Sequence, residues 1–275
     1  MWELSSIFVR LTCRVTPTYL KKTLDLLRAS LWTSARHQRK SDLYHLIGVL
    51  TRIASCVRNG RLQIFYLRRV LSNNHYKPDH AMVPMDHGAR AEAQWWSNLC
   101  AGGEVVCKQL PSHPSLLPSV AHGQTDSCWE SYGGIWREAD GSYRFFFGWF
   151  STAISRAWPI VAKESFAIAC LVLLRGPSVE DHVMLVESDS EDSVITWNKG
   201  SPGRSEPGAM MLRAIDAAAN RARTVVTLRH IAGVDNVLAD AVSRAEWSKL
   251  ESLIGVSPLI RVHVPQEWTK QWSVE

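Results

Sequence analysis

Four acidic residues carry the chemistry this sequence could perform. Asp126 lies in Gln124-Thr125-Asp126-Ser127-Cys128 and Glu164 in Ala162-Lys163-Glu164-Ser165. Asp189 lies in Leu185-Val186-Glu187-Ser188-Asp189-Ser190 and Asp240 in Asn236-Val237-Leu238-Ala239-Asp240-Ala241-Val242-Ser243-Arg244. Taken singly, Glu164 and Asp189 are explained by the favourable field at a helix N-terminus. Asp240 is harder to explain so, because it is the fifth residue of its helical segment and faces the apolar turn of Val237 and Leu238. Burying an ionised carboxylate there is costly unless a cation or donor meets it. Four converging carboxylates would repel one another until a divalent ion neutralised them, and an all-oxygen donor set selects the hard ions Mg²⁺ or Mn²⁺ over zinc.

The elements that must position these acids follow from periodicity and turn chemistry. Ser119 to Cys128, Tyr132 to Glu138 and Ser142 to Phe150 read as three antiparallel strands, with Gly133-Gly134 inside the second and Asp140-Gly141 as a tight turn. Lys163 to Leu174 reads as a buried helix opened by Glu164, His182 to Glu187 as a fourth strand, and Glu191 to Asn198 as a helix ended by Lys199-Gly200. A Gly/Pro-rich loop, Ser201 to Gly208, precedes a helix over Ala209 to Arg223, a fifth strand over Thr224 to Arg229 and a last helix over Asn236 to Leu250. Three antiparallel strands followed by alternating helix and strand describe an α/β domain on a mixed five-stranded sheet with flanking helices.

The first 80 residues have another texture. Thr16-Pro17 starts a helix carrying Leu20, Leu24, Leu27 and Leu31 on one face. A second begins at Ser41-Asp42 with Leu43, Leu46, Ile47, Leu50, Ile53 and Val57 in a stripe and closes at Asn59-Gly60. A third helical segment, Leu62 to Leu71, is short and basic. The spacing then weakens, so the expected organisation is a helical basic region over 1–80, a linker over 81–118 with one helix near Arg90 to Leu99, the α/β domain over 119–250 and an extension over 251–275.

Composition bounds the function. With 275 residues, 46% of them hydrophobic, the chain can bury one large or two ordinary cores, which excludes a disulfide-stapled module and a disordered chain. Residues 1–80 hold 14 Lys/Arg and 4 Asp/Glu, a balance of +10, whereas the remaining 17 and 22 leave −5. One part suited to a polyanion is thus joined to one suited to cations. The longest uncharged apolar runs, of 11 and 10 residues, are about half of the ~20 that cross a bilayer, so no membrane partner is expected. Six scattered cysteines without a CxxC pair suit free thiols, and the start Met1-Trp2-Glu3 lacks a signal-like n-region, which together point to an intracellular setting, cytoplasm or nucleus.

The acids and their neighbours resemble the ribonuclease H domain of retroelement reverse transcriptases, and within it the DIRS-like elements that use a tyrosine recombinase. The carrying motifs are Thr125-Asp126-Ser127 with Gly133-Gly134, Lys163-Glu164-Ser165, Ser188-Asp189-Ser190, and the run from His230-Ile231-Ala232-Gly233 through Asn236 and Ala239-Asp240 to Ser243-Arg244, with nine residues between His230 and Asp240. The likeness covers Ser119 to about Leu250. Upstream, Leu43 to Leu50 and Asn59 to Arg69 resemble more loosely the helical thumb and connection of such enzymes.

This resemblance implies a ribonuclease H-like fold preceded by a thumb/connection-like region, and Mg²⁺-dependent cleavage of the RNA strand of an RNA–DNA hybrid. Asp126 would bridge two ions, with Asp240 on one and Glu164 and Asp189 on the other, and His230 would move a proton or assist product release. Arg58, Arg61, Arg68 and Arg69 are the candidate phosphate contacts of the basic region. Trp95-Trp96 either stack on bases or pack in a core. No Tyr-x-Asp-Asp motif occurs, so no polymerase activity is expected, and the missing polymerase part or a second subunit joins the hybrid as an expected partner. Two other classes stay open: an inactive, nucleic-acid-binding or structural remnant, and a DNA nuclease or transposase of the same fold class.

Overall fold

A computed structural model describes residues 12–270 apart from 14, 30–31, 33, 55, 58–59, 103–107, 110–118, 180–182, 201–204 and 223. The chain divides into two units, residues 1–113 and 114–275.

In the first unit, strand β1 (Thr12–Cys13) precedes α1 (Pro17–Ala29). Pro17 is tolerated there because first-turn N–H groups have no intrahelical partner, and the Thr16 carbonyl accepts from the Tyr19 and Leu20 amides. Strand β2 (His37–Arg39) leads into α2 (Lys40–Ala54), which buries Leu43, Leu46, Ile47, Leu50 and Ile53 as the periodicity requires. A 3₁₀ turn, Gly60–Ile64, then runs into α3 (Phe65–Asn73).

The stretch expected as a linker holds secondary structure of this unit instead. It contains β3 (Met82–Pro84), antiparallel to β2, then α4 (His87–Ala101) and β4 (Lys108–Gln109), antiparallel to β1. Asp86 caps α4 by accepting from the Ala89 amide at 2.7 Å, and buried Glu92 accepts the Leu67 amide of α3 at 3.0 Å. These two acids make a helix with a weak apolar stripe part of the packed unit.

The second unit begins with the meander β5 (Ser119–Ser127), β6 (Ser131–Arg137) and β7 (Tyr143–Trp149). Gly141 turns the β6–β7 hairpin at φ 87°, a conformation open to glycine. There follow α5 (Thr152–Ala157), α6 (Ile160–Arg175), β8 (Val183–Ser188), α7 (Glu191–Lys199), α8 (Glu206–Arg221) and β9 (Val225–His230). The chain continues through α9 (Val237–Ser243), α10 (Trp247–Ile254), β10 (Leu259–Arg261) and α11 (Gln266–Lys270). The sheet order is β10-β7-β6-β5-β8-β9, with β8 parallel to β5, β9 parallel to β8 and β10 parallel to β7. This is a mixed sheet with flanking helices, carrying six strands rather than the expected five. The sixth comes from the extension: the Tyr143 amide donates to Pro258 O and the Val262 amide to Phe145 O, each at 2.7 Å, which satisfies an edge that would otherwise be bare.

Three boundaries differ from expectation for identifiable reasons. Helix α6 starts at Ile160 after Pro159, so Glu164 is its fifth residue and does not open it. Helix α8 starts at Glu206 inside the expected loop, because Ser205 caps it by accepting from the Gly208 amide at 3.1 Å and Pro207 fits a first turn. The last helix is split: Ala245 adopts φ 55°, the Glu246 amide donates to Ala241 O and the Ala245 amide to Val242 O. That pattern is a Schellman stop with alanine where glycine is usual.

Helices cover the sheet from both sides. Leu171 of α6 lies under Gly123, whereas Ala239, Ala241 and Val242 of α9 pack with Ile135, Phe145 and Leu250. Helix α9 comes close at Gly133, where a Cβ would stand 2.6 Å from Val242 Cγ1 and 3.1 Å from the Ser243 amide nitrogen. Gly133→Ala is therefore expected to push α9 off the sheet and cost about 1–3 kcal/mol, read as a lower urea midpoint at unchanged slope.

Candidate active site

Three elements deliver three carboxylates to one end of the sheet. Asp126 is on β5 opposite Gly133 of β6, Glu164 is on the second turn of α6, and Asp189 follows the last residue of β8. One oxygen from each lies within 4.8 Å of the other two. Asp126 and Glu164 are buried, and Asp189 is half-buried. The parallel pairing of β5 with β8 and the depth of α6 beneath the sheet make this convergence a consequence of topology.

The electrostatics express that crowding. Burial pushes the Glu164 carboxyl well above the usual range, the charges of Asp126 and Asp189 push the same way, and the neighbouring Ser127 hydroxyl and amide oppose them. Burial likewise raises Asp126; Asp189 and Asp240 add to the rise, against a hydrogen bond donated by the Ser243 hydroxyl. Glu164 Oε2 is buried with no hydrogen-bond partner among the described residues. An orphaned carboxylate oxygen beside two other carboxylates is the arrangement a hard divalent cation satisfies, so the residues present fit Mg²⁺ or Mn²⁺.

Asp240, the fourth sequence candidate, is coupled to Asp126 but is not one of the three converging groups. It is half-buried on the first turn of α9, with Arg244 Nε at 2.5 Å and Lys249 Nζ at 3.2 Å. Burial alone would raise it, yet the hydrogen bonds and charges of Arg244 and Lys249 outweigh burial and hold it below the usual range. The apolar turn of Val237 and Leu238 therefore does not strand this ion, because two cations from the following turns reach it. His230 is exposed at the end of β9, in register with Ser188 and thus beside the start of the Asp189 turn.

The arginine candidates lie in the first unit and separate into different settings. Arg58 lies outside the described residues. Arg61 is exposed on the 3₁₀ turn, and Arg68 is exposed on α3, where its Nη2 donates to Thr51 Oγ1 at 3.2 Å. Partial desolvation of its head group and the nearby Arg61 charge lower the Arg68 guanidinium. Arg69 pairs with Asp86 at 2.9 Å and lies 4.5 Å from the Tyr66 ring centre, so it braces the start of α4. Trp96 is fully buried and donates to Gln63 O at 2.7 Å, which makes it a core residue with no face open to a base.

Three residues that position the acids were given no role at the sequence level. Fully buried Asn236 donates from Nδ2 to Thr125 O at 3.0 Å and to Asp189 Oδ1 at 3.3 Å, tying β5, the Asp189 turn and the start of α9 together. Ser243 holds Asp126, and its carbonyl accepts from Ser131. Lys163, buried one residue before Glu164, donates to Trp129 O at 2.8 Å and Ser155 O at 2.9 Å, anchoring the β5–β6 turn and α5 to α6. Asn236 and Ser243 stand in the same run as Asp240, so their order was visible, but their partners on β5 lie more than a hundred residues away.

No protein-family model matches the chain, and no curated protein matches it. Among solved structures it is similar to RNase H1 from the halophilic archaeon Halobacterium salinarum NRC-1, at 12% identity and a TM-score of 0.37, over 46% of this chain and 97% of that one. It is similar to the N-terminal RNase H domain of a Mycobacterium tuberculosis protein at 13% identity and a TM-score of 0.35, over 48% and 99%. A foamy viral protease-reverse transcriptase in complex with double-stranded DNA is similar at 11% identity and a TM-score of 0.30, over 78% of this chain and 35% of that one. Among the described residues, no helix is long and apolar enough to cross a membrane.

The raised carboxyls set a sign for stability against pH. Glu164 and Asp126 bind their protons more tightly folded than unfolded, so without metal they make stability fall as pH rises from the ordinary carboxylate range through their raised values. Asp240 has the opposite sign, and its contribution is lost only as pH falls below that range. Glu164→Gln is therefore expected to flatten the decline above pH ~4 and to raise the metal-free melting temperature at neutral pH, as followed by circular dichroism in chelator.

Proposed function

We propose that the chain is a retroelement ribonuclease H that cleaves the RNA strand of RNA–DNA hybrids, the C-terminal part of a reverse transcriptase. The observation that carries this reading is the convergence of Asp126, Glu164 and Asp189 within 4.8 Å, with one buried oxygen of Glu164 lacking a partner. The DIRS-like affiliation rests on the run from His230 to Arg244.

Asp126, Glu164 and Asp189 would hold the divalent ions, with Asp240 at the rim, and those ions supply an activated water and charge neutralisation for phosphodiester hydrolysis. The protein's own contribution is to keep the carboxylates aimed. Asn236 fixes Asp189 against Thr125, Ser243 fixes Asp126, and Lys163 fixes the helical turn that bears Glu164. Exposed His230, in register with Ser188 beside the Asp189 turn, would carry a proton between solvent and the leaving oxygen. Choice of RNA over DNA would come from the 2′-hydroxyl and the groove shape of the hybrid, so sequence preference should be slight. In the basic first unit, Arg58, Arg61, Arg68 and Arg69 are the proposed phosphate contacts, of which Arg68 also bonds Thr51 and Arg69 also pairs with Asp86.

One observation favours a second reading, an inactive remnant that binds nucleic acid. Asp240 is held by both Arg244 and Lys249, and ligating an ion would require breaking those pairs.

Cleavage of a labelled hybrid, with duplex DNA of the same sequence in parallel, separates the readings. Mg²⁺-dependent cutting of the RNA strand is expected, and Asp126→Asn, Glu164→Gln and Asp189→Asn should each lower it at least about a hundredfold while the protein still folds. Hybrid binding without cutting would establish the remnant, and preference for duplex DNA would establish a DNA nuclease. In a binding titration, Arg61→Ala combined with Arg68→Ala should reduce the slope of log K against log salt by about 2, taking ~0.9 per phosphate contact.

A further inference from the structure

Strand β7 and helix α10 expose an aromatic ledge that the carboxylate chemistry does not use. Phe145, Phe147 and Trp149 alternate along one face of β7, and Trp247 at the start of α10 lies 5.4 Å, ring centre to ring centre, from both Phe145 and Phe147. Trp149 meets Phe147 edge to face at 5.1 Å, yet stays 64% exposed, and Trp247 is 36% exposed. Leaving indole faces in water forgoes the burial that otherwise makes tryptophan useful in a fold.

Cations frame these rings. Arg261 on β10 donates to Phe147 O at 3.3 Å, its guanidinium lies 6.0 Å from the Phe147 ring centre, and it has no carboxylate partner among the described residues. Arg244 and Lys249 bracket Trp247 in sequence, both remain about half exposed, and both reach Asp240. The acids nearby, Asp240 and Glu246, are already paired with these two side chains, which leaves Arg261 as the uncompensated charge. The ledge is linked to the carboxylate site through the sheet register, in which Phe147 of β7 pairs with Gly133 of β6 and Gly133 with Asp126 of β5, and it offers ring faces and positive charge together.

We propose that this ledge binds single-stranded nucleic acid, with bases stacked on Trp149 and Trp247 and phosphates held by Arg261. Bases inside a duplex have no free face, so an exposed indole selects an unpaired segment such as the overhang of a hybrid whose paired part lies at the carboxylates. The proposal rests on the nucleic-acid reading of that site but not on hydrolysis, and it is testable without metal.

The test is fluorescence anisotropy of a labelled twelve-residue thymidine oligonucleotide with the intact chain in chelator. Trp149→Ala is expected to weaken binding by roughly 5- to 150-fold, the range of one base–aromatic stack, with Trp149→Phe retaining most of the affinity. An abasic oligonucleotide of the same length should bind the wild type more weakly than thymidine does, and should not distinguish the wild type from Trp149→Ala. Arg261→Ala should lower the salt slope by about 0.7, the single-strand value for one phosphate. Equal binding of the thymidine oligonucleotide by wild type and Trp149→Ala, or equal binding of thymidine and abasic oligonucleotides by the wild type, would overturn the proposal. So would self-association in sedimentation without DNA that Trp149→Ala abolishes, since the ledge would then be a contact between copies. Cleavage results leave these outcomes untouched, so the two readings fail separately.

Discussion

Repulsion among Asp126, Glu164 and Asp189 is the constraint around which the second unit is organised. Three carboxylates within 4.8 Å cannot all ionise in a buried setting without a compensating charge, and the cations nearest in sequence do not supply it. Lys163, adjacent to Glu164, spends its donors on the carbonyls of Trp129 and Ser155. Arg244 and Lys249 turn to Asp240, and Arg229 turns to Glu187. The fold thus ties these cations to other partners, so the cluster is left to take a compensating cation from solution.

Holding such a cluster requires ties between elements distant in sequence. Gly133 gives up its side chain so that α9 can press onto β6, and that approach brings the Ser243 hydroxyl to Asp126. Asn236 then closes the gap between β5 and the turn after β8. Each tie is a polar group buried with its partner, so loss of one partner leaves the other unsatisfied and costs more than the net worth of the bond. A site built this way is pre-organised before any ion or substrate arrives.

Much of this was legible in the residues. The strand and helix order of the second unit followed from alternation, from Asp140-Gly141 and from the apolar run of α6. Three of four proposed acids converge because order and element type carry that information once the topology is a mixed sheet. The rest lay in interactions that a linear reading does not contain. Ala245 stops a helix in a conformation that glycine usually signals, the edge of β7 recruits Leu259–Arg261 from far along the chain, and Arg244 and Lys249 choose Asp240 only after the helix has been broken. A helix near Arg90 to Leu99 was legible, but the packing of α4 into the first unit was hidden for a related reason: its ties run through Asp86 and Glu92, polar residues that look like solvated surface until their partners are seen.

The central claim is that the three carboxylates form a divalent-cation site, and anomalous diffraction tests it most directly. Crystals of the intact chain grown with Mn²⁺ and measured at the manganese edge are expected to show density enclosed by Asp126, Glu164 and Asp189, and Glu164→Gln crystals should lose or weaken it. Manganese density elsewhere with none at this cluster, at an ion concentration that saturates binding in solution, would contradict the account.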